Sequence, residues 1–180
     1  MKDLSLHILD IVHNSIRAKA TQIQIKIMEN QQLDQLSISI SDNGSGMTEE
    51  QIQALSDPFF TTRTTRRVGL GIPLLQQRAE ECEGALLVES KIGEGSSIIV
   101  NFQKSHIDLP ELGDIAGVIS GISCSYPQIR FIFDYQTDEI DFHFDTKEIV
   151  EALEGVPINT PEVELFIKEM IEENVKSELK

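Results

Sequence analysis

Leu36-Ser37-Ile38-Ser39-Ile40-Ser41-Asp42-Asn43-Gly44-Ser45-Gly46-Met47 is the stretch that decides the fold. Its first half alternates apolar and polar residues, and a period of two places Leu36, Ile38 and Ile40 on one face of a β-strand. Its second half is a turn in which two glycines let the backbone bend sharply, leaving the Asp42 carboxylate at the end of the strand. Upstream, Ile23, Ile25 and Ile27 alternate in the same way, and the polar residues 29–35 between the two sets read as a hairpin loop. Before them, Leu6, Leu9, Val12 and Ile16 recur at helical spacing behind Asp3, which predicts a helix from Asp3 to about Ala18 capped by that aspartate. At 100° per residue, His7, Asp10, Asn14 and Arg17 of this helix fall within a narrow arc, so an otherwise apolar helix carries one polar stripe.

Downstream of the turn, a polar stretch runs to Ser56 and is followed by the segment 57–68. A helix is then predicted over 72–83, with Pro73 in its first turn and Gly84 as its stop. Strands over 85–91 and 97–102 form a hairpin around Gly93-Glu94-Gly95. Helix, two strands, helix, two strands predicts an α+β fold, an α/β sandwich with helices on one face of a mixed or antiparallel sheet. The other face is either wet or covered by the rest of the chain. The Pro-containing polar connection 105–110 marks a boundary between a first domain, 1–104, and a small acidic α+β domain, 105–180. The second contains a helix from Glu111 to about Ser123, strands over 129–135 and 139–144, a short helix from Lys147, and a last helix opened by Thr160-Pro161-Glu162. Its strands either form a separate unit or extend the first sheet. Val163, Phe166, Ile167, Met170 and Ile171 of the last helix are expected to pack on their own domain.

Composition narrows the function. With 180 residues, 40% of them hydrophobic and 25% charged, the chain has the make-up of a soluble globular protein. No apolar run approaches a membrane span, and the N-terminus lacks the basic and apolar regions of a signal peptide, so a cytoplasmic protein is expected. Cys82 and Cys124 have neither metal-ligand spacing nor a disulfide framework around them. The formal charge of -15 is uneven: residues 1–103 hold 9 Lys and Arg against 13 Asp and Glu, residues 104–180 hold 6 against 17. Such a field repels nucleic acid and anionic membrane, and neither is expected as a partner.

A carboxylate placed like that of Asp42 can accept a hydrogen bond from the exocyclic amine of adenine, with the glycine turn bending beside the base. In order along the chain, Asp10 and Asn14 with Ser15, then Asp42-Asn43-Gly44-Ser45-Gly46-Met47, Asp57-Pro58-Phe59-Phe60-Thr61-Thr62-Arg63, Gly69-Leu70-Gly71-Ile72, and Gly93-Glu94-Gly95-Ser96 resemble the sequence boxes of the GHKL superfamily, which groups gyrase, Hsp90, histidine kinases and MutL. The close succession of Phe59-Phe60-Thr61-Thr62-Arg63 and Gly69-Leu70-Gly71 is most similar to the catalytic domain of histidine kinases, whereas the first box is more similar to that of MutL.

The resemblance implies a Bergerat-type ATP-binding fold and a set of roles. Asn14 would give Mg²⁺ an oxygen ligand, and Asp42 would read adenine beside Gly44, Gly46 and Met47. Gly69, Leu70 and Gly71 would let backbone amides approach the phosphates at a helix start. Thr61, Thr62 and Arg63, with Arg66 and Arg67 beyond, would form a short lid anchored by Phe59 and Phe60. Ser96 would act near the base through water. Asp10 stands where the hydrolytic branches carry a glutamate as general base, and its side chain is one methylene shorter.

No helical hairpin bearing a phosphoacceptor histidine is found in the sequence, and His7, His13, His106 and His143 lie in unsuitable contexts for one. Any phosphoryl acceptor is therefore expected to be another protein. Three functions are compatible with these residues: a histidine-kinase-like phosphotransferase acting on a separate partner, a nucleotide-gated protein-binding module with little turnover, and a MutL-like ATPase forming a homodimer on ATP.

Overall fold

The computed structural model describes residues 3–56 and 71–175. Six strands form one mixed sheet in the order β3-β4-β2-β1-β5-β6. In chain order the elements are α1 (Leu4–Arg17), β1 (Gln22–Asn30), β2 (Gln35–Asp42), α2 (Glu49–Ser56), α3 (Gly71–Glu81), β3 (Ala85–Lys91), β4 (Gly95–Gln103), α4 (Ile115–Ser125), β5 (Arg130–Gln136), β6 (Asp141–Asp145), α5 (Thr146–Ala152) and α6 (Pro161–Asn174). The alternation of β1, β2, β4 and β5 puts one residue in two into the core. Ile25 faces Ile40 on one side and Phe133 on the other, and Ile40 faces Ile98, so a single apolar row crosses four strands. All four side chains are buried beneath the helices. The opposite face carries Ser37, Ser39 and Ser41, each half-buried, and is the wet one of the two alternatives.

The C-terminal strands extend the first sheet. β5 pairs in parallel with β1, Ile23 opposite Phe131 and Ile27 opposite Tyr135, and β6 pairs antiparallel with β5. A second seam lies at the start of α1, where the Leu4 and Ser5 amides donate to the carbonyls of Glu111 and Leu112 at 2.9 Å. These amides are among the four that a helix leaves without internal partners. Supplying those carbonyls keeps 111–114 out of a helix, so α4 starts later than its sequence suggests, at Ile115 behind the Asp114 cap. The hairpin loop between β1 and β2 is also shorter than expected. Glu29 belongs to β1 and is 5% exposed, because its carboxylate accepts a hydrogen bond from Tyr135 Oη at 2.8 Å and pairs with Lys104 Nζ at 3.2 Å. Residues 49–56, within the polar stretch to which the sequence assigns no element, form α2, and β6 begins at Asp141 because Thr137 and Ile140 close a turn before it. On α6, Val163, Ile167 and Ile171 are buried as expected, but Phe166 is 57% exposed.

Burial explains the cysteines: the Cys124 thiol is pushed up to about 11 and stays protonated, and Cys82 is raised in the same direction. No helix among the described residues is long and apolar enough to cross a membrane.

At the β6 edge, His143 Nδ1 lies 2.6 Å from Asp134 Oδ1, whose other oxygen accepts from Gln24 Nε2. The hydrogen bond to Asp134 raises the His143 pKa above its ordinary 6.5. A base whose folded pKa is raised stabilises the fold fully below its unfolded pKa, and that contribution is lost as pH rises through the folded value. The melting temperature of the wild type should therefore exceed that of His143→Gln at about pH 6, with the gap closing by about pH 9. A gap that does not change with pH would show that protonation of His143 contributes nothing to the stability of the fold.

Candidate functional site

The glycine turn, α1 and the start of α3 meet at the helix-covered side of the sheet, and each brings a carboxylate or a bare backbone. Asp42, the last residue of β2, is fixed from two directions. Ser15 Oγ of α1 donates to Asp42 Oδ2 at 2.5 Å, and the Gly44 amide donates to Oδ1 at 2.8 Å. The carboxylate is thus held in one orientation, half-exposed, at the mouth of the turn. Ser15 is 4% exposed, so this partner is itself locked. Asn43 turns the other way: its side-chain oxygen accepts from the Thr21 and Gln22 amides at 2.9 Å, tying the turn to the start of β1.

Two glycines are required by close approach. A Cβ on Gly44 would lie 2.8 Å from the Ala18 carbonyl oxygen, and one on Gly46, whose φ is +69°, would lie 2.0 Å from that of Lys91. The turn is therefore pressed between the end of α1 and the β3–β4 hairpin, where Gly93 also donates its amide to Ser45 O at 2.8 Å. Met47, half-buried, donates its amide to Ser90 Oγ at 2.8 Å, and Ser90 Oγ lies 2.8 Å from Ser96 Oγ. Ser96 faces Asp42 across the β2–β4 ladder. Ser90 was missed by the sequence reading. No local pattern marks it, because its role comes from the register of the hairpin.

The polar stripe of α1 divides. Asn14 is half-buried and accepts from Arg17 Nη1 at 2.9 Å. Asp10 is pressed against α3: a Cβ on Gly71 would lie 1.8 Å from Asp10 Oδ2. That oxygen is buried and has no hydrogen-bond partner among the described residues. His7, one turn earlier, is 2% exposed, with Nδ1 likewise unpartnered among them. Burial, with the N-terminal charge and Arg78 adding to it, lowers the His7 pKa, so the ring is neutral at pH 7. Phe60, Thr61, Thr62, Arg63, Gly69 and Leu70 lie outside the described residues, as do Phe59, Arg66 and Arg67. The structure thus brings together Asp10, Asn14, Asp42, Gly44, Gly46, Met47, Gly71 and Ser96 around one end of the sheet.

Comparison with known proteins gives the family of this fold. The family model for histidine kinase-, DNA gyrase B- and HSP90-like ATPases matches residues 2–106. Sporulation kinase E of Bacillus subtilis is 39% identical over 77 residues, which are 43% of this chain and 9% of that protein. A putative sensor protein of Shewanella frigidimarina is 29% identical over 103 residues, 56% of this chain and 16% of its own length. The match therefore spans only a small part of either relative. In three dimensions the Aquifex aeolicus MutL ATPase domain complexed with ADP superimposes with a TM-score of 0.50 at 14% identity, covering 84% of this chain and 68% of that one. The N-terminal domain of a DNA repair protein gives 0.52 at 19% identity, covering 81% and 52%. Both superpositions cover more of the chain than residues 2–106 supply, so the shared fold continues into the C-terminal half. The chain belongs to the family of histidine kinase-, DNA gyrase B- and HSP90-like ATPases.

Proposed function

We propose that this end of the sheet binds Mg·ATP and that the protein is a histidine-kinase-like regulator that passes the γ-phosphoryl group to a separate protein. The observation that carries the reading is the Asp42 carboxylate, held by Ser15 Oγ and the Gly44 amide where a flat base can lie against the glycine turn. Asp42 accepts from the adenine amine, and the Ser90–Ser96 pair supports a water between base and strand. Asn14, with Asp10 close by, offers the oxygen atoms that Mg²⁺ prefers, and Asp10 Oδ2, without a hydrogen-bond partner among the described residues, fits a site completed by a ligand. When bound, the metal would offset phosphate charge. The chain's own contribution is positioning: it fixes base and phosphates so that the transfer needs no covalent enzyme intermediate. Gly69, Leu70 and the Thr61–Arg63 lid complete the phosphate contacts in this reading.

One feature favours a second reading, a nucleotide-gated binding module with slow turnover. Asp10 Oδ2 is buried against Gly71, and a general base must touch the water it activates. Calorimetry with and without Mg²⁺, together with phosphate release by wild type and Asp10→Ala, separates the two. Mg²⁺-dependent binding with Asp10-dependent turnover supports the enzyme, and binding without turnover supports the gated module. Absence of ATP binding would overturn both. Sedimentation with and without ATP tests for a MutL-like dimer.

Gly71→Ala bears on the same geometry. Its methyl would overlap Asp10 Oδ2, so the carboxylate must swing away or α3 must shift. Nucleotide affinity is expected to fall by about tenfold or more, since overpacking costs roughly 1–3 kcal/mol. Unaltered affinity with an unaltered melting temperature would mean that Asp10 and α3 do not bear on the ligand.

A further inference from the structure

We propose that the groove between α1 and α4 is a docking site for a helix of a protein partner, one that lays an apolar face into the groove and carries lysine or arginine at the end nearest Asp3 and Asp114. The groove encloses about 480 Å³. Its α1 wall is Leu6, Leu9 and His13, a face distinct both from the buried face and from the stripe that carries Asp10 and Asn14. Its α4 wall is Val118, Gly121 and Ile122. Leu6 stands 41% exposed at the rim.

Gly121 is the residue that the fold itself does not explain. A glycine inside a helix weakens it relative to alanine. At Gly117, one turn earlier, a Cβ would lie 2.3 Å from Asp114 Oδ2, so the capping aspartate requires the gap. At Gly121 a Cβ would meet nothing closer than Glu164 Oε1 at 4.0 Å. The bare backbone there deepens the groove and serves no contact among the described residues.

The chemistry of the groove selects its occupant. Its walls are two helices whose backbone groups are spent on their own hydrogen bonds, so an extended peptide would find no ladder to join, whereas a helix satisfies its own backbone. From Asp3 to His13 the α1 wall runs about 15 Å, the length of roughly three helical turns. The two helices start together, since a Cβ on Gly113 would lie 2.4 Å from the Asp3 carboxyl. Asp3 and Asp114 therefore share one end of the groove, with Glu164 flanking Gly121, and among the described residues the cation near them is Lys168, 3.6 Å from Asp114 Oδ2. Among the described residues the excess is negative, which selects a basic end on the incoming helix. A second copy fits poorly: the exposed apolar side chains of α6, Leu165 and Phe166, stand among Glu162, Glu164 and Glu169, like charge to the groove. None of this depends on nucleotide binding.

The test uses the full chain and three fluorescent helical peptides with the same leucine-alanine face, ending in lysine, glutamine or glutamate. The lysine peptide should bind most tightly and the glutamate peptide most weakly, with a difference that shrinks at high salt. Gly121→Leu fills the groove where space is open and should reduce lysine-peptide affinity at least tenfold without lowering the melting temperature. Leu6→Gln, at the exposed rim, should do the same and serves if Gly121→Leu misfolds. Asp114→Asn keeps a capping side chain and removes the charge, so it should narrow the gap between the lysine and glutamine peptides. No binding of the lysine peptide, or equal binding by wild type and Gly121→Leu, overturns the proposal. A concentration-dependent dimer abolished by Gly121→Leu would overturn it in favour of a second copy of this chain.

Discussion

Replacing Asp42 by asparagine is expected to weaken ATP binding roughly ten- to hundredfold, the equivalent of about 1.5–3 kcal/mol for a hydrogen bond to a charged group. Both Asp42 oxygens already accept hydrogen bonds from the protein, Oδ2 from Ser15 Oγ and Oδ1 from the Gly44 amide. An asparagine can keep only one of these, and its amide group then presents a donor where the base also presents one. Calorimetry with ATP and with inosine triphosphate, which lacks the exocyclic amine, reads the effect directly. The wild type should prefer ATP, and Asp42→Asn should lose that preference. Equal preference in both proteins would remove Asp42 from base recognition. Ser15→Ala should give a smaller loss, because it frees the carboxylate without removing it.

Phe133→Ala is expected to lower stability by about 3–5 kcal/mol, the usual cost of deleting a buried phenyl group, and the melting temperature by roughly 10 °C in a chain of this size. Phe133 is fully buried and lies opposite Ile25 of β1, although it belongs to the C-terminal half of the sequence. A single transition moving as a whole would show that residues 105–180 unfold together with the first hundred. Two transitions, only one of them shifted, would show that the C-terminal half unfolds on its own.

The sequence made some features legible and hid others for physical reasons. Strands β1, β2 and β4 are half-buried, so alternation reveals them, and the Asp3 cap stands where an aspartate before an apolar periodic run predicts it. The candidate site was proposed from its local parts, Asp42 with its glycines and the Asp10–Asn14 stripe. Contacts set at long range were not readable. Glu29 looks like loop because it is charged, yet a tyrosine 106 residues away and Lys104 satisfy it inside the sheet. Residues 111–114 look like the start of a helix, but the unpaired amides of α1 compete for their carbonyls. Helix α2 escaped notice because Glu49–Ser56 is short and mostly polar.

The parallel pairing of β1 with β5 also governs how the protein is made. Ile23 leaves the ribosome 108 residues ahead of its partner Phe131, an interval of roughly 5–20 s at about 5–20 residues per second. During that time β1 can pair only with β2, and the flank of β1 that will receive β5 is open to strands of neighbouring chains. Contacts between segments so distant in sequence slow folding, since the loop must close before they stabilise anything. Nascent chains should therefore gain protease resistance late, once β5 has emerged, rather than when the last residue of the ATPase-family match has been added.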